Sequence, residues 1–188
     1  RKIAEYGSAA QPVVLGYDES DRMTSLTTFR VSDGDIDTNP MERMDGDTTT
    51  WSYHEATGLL VRKTYADATY EDTGYNALNM RATFTSPRGI TATWGYNLKK
   101  GVNTSITYSD GSPGVQFVYN HLNQLMQVTD MSGIRNITYN QYGAPDKDKL
   151  RIDGVEYLIT EHYDELNRTA GYTLKAGYGS AGRFPRLR

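Results

Sequence analysis

Seven times along the 188-residue chain a tyrosine is followed by Asp, Asn or His. The pairs are Tyr17-Asp18, Tyr53-His54, Tyr75-Asn76, Tyr96-Asn97, Tyr119-Asn120, Tyr139-Asn140 and Tyr163-Asp164. Their successive spacings are 36, 22, 21, 23, 20 and 24 residues, one short period with a single insertion in the first gap. A fixed period of this size means one supersecondary unit used repeatedly. A unit so short cannot bury an apolar face alone, so neighbouring units must supply each other's core. The repeat therefore limits the chain to an array.

Two further columns define the unit. Four residues after the tyrosine stand Asp21, Asn79, Asn123, Gly143 and Asn167; the exceptions, Thr57 and Lys100, each precede a glycine, Gly58 and Gly101. Gly, Asn and Asp tolerate positive φ, so this column predicts a tight turn. Two residues before the tyrosine stand Leu15, Trp51, Trp94, Phe117 and Ile137, with Thr73 and Glu161 as exceptions. Residues two apart share one face of a strand. Each unit thus reads as a strand ending in the tyrosine, a turn, and a returning strand. Second turns are predicted at Arg88-Gly89, Asp110-Gly111 and Ser132-Gly133, and a two-residue hairpin at Asp153-Gly154. No amphipathic helix is expected.

Composition agrees. Fifteen tyrosines against four phenylalanines suit a packed face whose edge stays wet, and 18 glycines against six prolines suit many strands with tight turns. The formal net charge is −3, with both signs interspersed, so no basic field for nucleic acid stands out. The absence of cysteine excludes disulfides and thiolate chemistry. No apolar run approaches the roughly 20 residues of a membrane helix. The expected fold is all-β: antiparallel hairpins in a continuous curved or spiralling sheet, with residues 1–188 one array of about seven repeats and residues 31–50 a polar, acidic insertion.

The segments Gly16-Tyr17-Asp18-Glu19-Ser20-Asp21-Arg22-Met23, Tyr119-Asn120-His121-Leu122-Asn123-Gln124-Leu125 and Tyr163-Asp164-Glu165-Leu166-Asn167-Arg168 resemble the motif Tyr-Asp-x-x-Gly-Arg-Leu of bacterial YD (RHS) repeats. The resemblance runs from about Val14 to Tyr172, and seven copies in phase make it specific. It implies a β-strip that spirals into a hollow shell. In toxin complexes and RHS effectors such a shell encloses a toxic passenger; teneurins are related, and other members serve adhesion. Seven units are too few to close a cage, so the chain is read as an excised segment of a longer secreted or surface protein of a bacterium. The implied partners are flanking repeats of that protein, with an enclosed toxin domain or a cell-surface glycan. Neither nucleic acid nor membrane insertion is expected.

Candidates for chemistry are few. His54, His121 and His162 lie near turns of different repeats and read as variable polar positions. In the insertion, Asp33, Asp35 and Asp37 resemble the opening of a calcium loop. However, Thr38 stands where that loop needs Gly and Met44 where it needs a bidentate Glu, so a solvated loop is expected. Asp146-Lys147-Asp148-Lys149 reads as an exposed charged loop after Pro145. No carboxylate or serine is tied to a histidine by a hydrolase motif. The expectation is a structural segment without catalysis, metal or cofactor. The alternative is an adhesion or carbohydrate-binding module that stacks sugars on Trp51 and Trp94. Buried tryptophans favour the shell, and an exposed row favours the glycan. A strip with raw edges is also expected to self-associate.

Overall fold

The structure, a computed structural model, describes residues 1–7, 11–30, 39, 41 and 46–178. Among them are fifteen strands and no α-helix. The fold is all-β and antiparallel, as the alternating sequence requires. Asp33, Asp35 and Asp37 lie outside the described residues.

The chain divides into two compact units, residues 1–91 and 92–188. The first contains β1 (Ala4–Glu5), β2 (Val13–Tyr17), β3 (Met23–Thr28), β4 (Asp47–Tyr53), β5 (Leu60–Thr64), β6 (Tyr70–Tyr75) and β7 (Arg81–Thr85). Each pairs with the next in sequence, antiparallel. The second unit contains β8 (Thr91–Asn97, which begins one residue before the division), β9 (Val102–Tyr108), β10 (Val115–Tyr119), β11 (Leu125–Asp130), β12 (Gly133–Tyr139), β13 (Pro145–Ile152), β14 (Val155–Tyr163) and β15 (Thr169–Tyr178). Here too each strand pairs with its sequence neighbour. This order follows from short connections that leave the returning chain beside the strand it came from.

Within each unit the sheet has two unlike faces, because successive side chains point to opposite sides. In β4, Trp51 and Tyr53 are half-buried while Ser52 is exposed. In β10, Val115, Phe117 and Tyr119 are half-buried while Gln116 and Val118 are exposed. Leu15, Trp51, Trp94, Phe117 and Ile137 share their tyrosine's face, as the spacing predicts. Full burial is rare. Phe29, Ala92 and Pro12 are the buried apolar side chains among the described residues. A single-layer sheet covers its apolar face only in part.

The segment Asp146-Lys147-Asp148-Lys149 is not a loop. It lies in β13, paired on both sides, Ile137 with Asp148 and Leu158 with Lys149. Charge suggested solvent, but strict alternation is also what a strand with unlike faces requires.

The predicted turns form, except that the one expected at Ser132-Gly133 falls one residue earlier, at Met131-Ser132, because Gly133 pairs with Asp130 and opens β12. Gly89 and Gly111 both have φ of 78°. Asp153 and Gly154 have φ of 49° and 80°, between the paired residues Ile152 and Val155, as a two-residue hairpin with both central residues left-handed requires. One turn has no residue suited to it: Ala68 has φ of 65° in the turn where Tyr65 N–H donates to Thr69 C=O at 2.8 Å. A Cβ in that region costs about 1–2 kcal/mol. Ala68→Gly is therefore expected to raise stability by about 0.5–1 kcal/mol, part of the relief being offset by the unfolded chain's greater freedom. Urea unfolding checks this; an unchanged or lowered midpoint would contradict it.

Candidate functional site: the Tyr–Asx turn and the join between repeats

The residue after the signature tyrosine builds the turn. Backbone N–H groups of Asp18, Asn76, Asn120, Asn140 and Asp164 donate to the carbonyls of Arg22, Met80, Gln124, Ala144 and Arg168, at 2.8 to 3.0 Å. In each turn the Asx Oδ1 also accepts two backbone N–H groups, two and four residues on, at 2.9 to 3.1 Å. A short side chain with an acceptor oxygen is what reaches both. The residue three further on takes positive φ: Asp21 64°, Asn79 59°, Asn123 61°, Gly143 81° and Asn167 57°.

The two exceptions in the sequence are turns one residue longer. Gly58 N–H donates to His54 C=O and Gly101 N–H to Asn97 C=O, both at 2.8 Å, and these glycines carry the positive φ at 71° and 67°. His54 stands in for Asx, its Nδ1 accepting the Thr57 N–H at 3.3 Å.

Asp rather than Asn occurs where the fifth residue after the tyrosine is Arg. Arg22 Nε donates to Asp18 Oδ2 and Arg168 Nε to Asp164 Oδ2, both at 2.7 Å. The Arg22 backbone N–H is the main cause holding the Asp18 carboxyl below its usual range, and the Arg168 backbone N–H does the same for Asp164. Carboxyls depressed in the folded state contribute stability above their unfolded pKa of about 3.9, and that stability is lost as pH falls through the folded value. The thermal midpoint is expected to fall on acidification below about pH 4. Asp18→Asn with Asp164→Asn should flatten the fall, since Asn keeps the acceptor without the charge. An acid profile unchanged by the double substitution would remove these turns from its cause.

Opposite every signature tyrosine the returning strand carries one extra residue. Ser52 pairs with Arg62 but Tyr53 with Leu60, leaving Val61 over. The same skip leaves over Thr24, Ala82, Thr104, Met126, Asp146 and Ala170. Such a bulge raises local twist and re-aims the strand. No column of the sequence announces it, because the surplus residue has no fixed chemistry.

The bulge and the tyrosine together make the join. Between repeats the pairing stops at Ser25–Thr50, Arg62–Asp72, Gln127–Asn136 and Lys147–Thr160. Beyond it the strands part. There the hydroxyls of Tyr53, Tyr75, Tyr139 and Tyr163 donate to the carbonyls of Met23, Leu60, Leu125 and Pro145, at 2.7, 2.9, 2.8 and 2.6 Å. Each acceptor is the residue paired with the preceding repeat's signature tyrosine: Tyr17, Tyr53, Tyr119 and Tyr139. Every such tyrosine thus closes the open end of the ladder behind it. The Arg22 guanidinium covers the Tyr53 ring at 4.7 Å.

The chain shares its fold with Tc toxin chains. It is similar to the crystal structure of TcdB2-TccC3-Cdc42, with a TM-score of 0.51 and 11% identity over 94% of this chain and 12% of that one. It is similar to the Photorhabdus luminescens Tc holotoxin pore carrying a TccC3 mutation, with a TM-score of 0.54 and 11% identity over 89% of this chain and 11% of that one. TcdB2-TccC3 without its hypervariable C-terminal region gives 0.51 and 12% identity over 93% of this chain and 12% of that one. At such identity the likeness is one of fold, and the chain spans about an eighth of the length of those it matches. No family model matches the sequence, and no curated protein does.

The other candidates do not converge. His162 Nε2 lies 2.5 Å from Thr173 Oγ1 on a strand, His54 is part of a turn, and His121 is exposed in another. Among the described residues no three His, Asp or Glu are grouped to hold a metal, and no helix is long and apolar enough to cross a membrane. Trp51 and Trp94 are each half-buried on the apolar face, and Lys63 Nζ lies 6.0 Å from the Trp51 ring. A groove of about 650 Å³ runs over β4 to β7, between Ser52, Arg62, Asp72 and Thr83. Its charges satisfy each other, Arg62 gripping Asp72 through two bonds of 2.6 and 2.7 Å.

Proposed function

We propose that this chain is a non-catalytic wall segment of an RHS/YD-repeat shell enclosing a toxin or other passenger, in a bacterial protein that is secreted or displayed at the surface. The observation that carries the reading is the join between repeats. The Asx residues are used in building turns, and the hydroxyls of Tyr53, Tyr75, Tyr139 and Tyr163 in fastening one repeat to the last, so these groups are engaged within the array and not with a ligand. That is the logic of an array whose product is continuous surface. The likeness in fold to Tc toxin chains supports it. Half-burial of Trp51 and Trp94 on the apolar face favours a wall over sugar stacking.

Electron cryo-microscopy of the protein with its native flanking sequence tests this. The expected image is a hollow particle with this segment in its wall, and the enclosed region should resist protease until the particle is opened. An extended fibre, or a passenger cut as fast as a free peptide, would overturn the reading.

A further inference from the structure

In the second unit, strand β13 sorts its own charges by sign. Alternation along β13 sends Asp148 to the half-buried face, where Arg135 grips it through Nε at 2.8 Å. It sends Lys147, Lys149 and Arg151 to the opposite face, and all three are exposed. The cross-strand register Lys149–Leu158–Lys175 adds a fourth exposed cation to that face. Glu156, opposite Arg151, is the carboxylate there, and it pairs with Lys149 at 2.8 Å. Arg151 and Lys175 make no ion pair among the described residues, and Lys147 has only its neighbour Asp146, at 3.9 Å. A chain of net charge −3 therefore presents a locally cationic face.

We infer that this face binds an acidic polypeptide segment in extended conformation. Lys147, Lys149 and Arg151 stand about 6.8 Å apart along the strand, two residues per step. An extended peptide with a carboxylate at every second residue has the same step, so each carboxylate meets a cation. No described tyrosine, tryptophan or phenylalanine side chain of the unit's strands lies on this face; the ring it carries is the His162 imidazole, held 2.5 Å from Thr173 Oγ1. A single imidazole already engaged by a hydroxyl gives nucleic acid and sugars no row of rings to stack on. The inference rests on the shell reading for the source of the segment, an enclosed passenger. The binding assay probes the face alone, so its failure leaves the wall standing.

The test uses the full chain and a fluorescent peptide of alternating Glu and Ser, followed by anisotropy at low and high salt. Saturable binding that weakens with salt is expected. The isomer with the same residues in two blocks should bind several-fold more weakly. Replacing Lys147, Lys149, Arg151 and Lys175 by Ser should weaken binding roughly tenfold or more. Lys175→Ser alone, on an exposed site that leaves β13 intact, should weaken it roughly twofold to threefold, which keeps the test valid if the quadruple variant misfolds. Arg88→Ser with Lys99→Ser, at exposed turns, should change it by less than about twofold. Equal binding of the block isomer, retained affinity in a folded quadruple variant, or binding of an anionic polysaccharide in place of the peptide would overturn the inference.

Discussion

Gly133→Ala is expected to destabilise the second unit by about 3 kcal/mol or more, the largest effect of any single methyl group in the described chain. Gly133 has φ of 142°, in a region side chains avoid, and a Cβ there would lie 1.8 Å from the Arg151 carbonyl oxygen and 3.0 Å from its carbon. Both are backbone atoms of the neighbouring strand, so no rotamer change can relieve the collision. β12 and β13 must part, and the ladder beside Ile134–Arg151 goes with them. Gly154→Ala separates strain from collision. Its φ is 80°, yet a Cβ there meets nothing within 4 Å. That substitution should cost only about 1–2 kcal/mol. Denaturant unfolding of both variants checks the contrast, and similar costs would show that the close approach to Arg151 is not sustained in solution.

Loss of the four joining hydroxyls should have a comparable effect in sum. Tyr→Phe at Tyr53, Tyr75, Tyr139 or Tyr163 removes one hydrogen bond and keeps the packed ring, at a cost of about 1 kcal/mol each. The sites do not share partners, so the quadruple variant should lose about 4 kcal/mol. The damage should also be local. Amide exchange is expected to quicken where the ladders end, near Met23, Leu60, Leu125 and Pro145, before it quickens elsewhere. Tyr172→Phe is the control, since that side chain is 70% exposed and should change stability by less than about 0.5 kcal/mol. Four signature substitutions as silent as Tyr172→Phe would mean that the rings alone hold the repeats together.

Local chemistry was legible in the sequence. The seven tyrosines, the Asx beside them and the Gly, Asn or Asp column fix strand ends and turns. Positive φ and a side chain folding back on its own backbone are properties of a few consecutive residues. Asp153-Gly154 set its own hairpin for the same reason. The antiparallel order followed, because turns so short leave no other neighbour.

What the strands do to each other was decided only in three dimensions. The surplus residue opposite each tyrosine is Thr, Val, Ala, Met or Asp, so nothing in its chemistry marks it; it exists because two paired strands differ by one residue in length. The hydroxyl bond from Tyr53 to Met23 crosses 30 positions to a backbone carbonyl, and a carbonyl leaves no trace in the sequence of the residue that carries it. Ala68 takes a left-handed turn against its own preference because the ladders on either side outweigh the strain of one residue. The charges of β13 suggested a loop, and became an ordered pair of faces only when β12 and β14 bound the segment on both sides and gave each of its charges a direction.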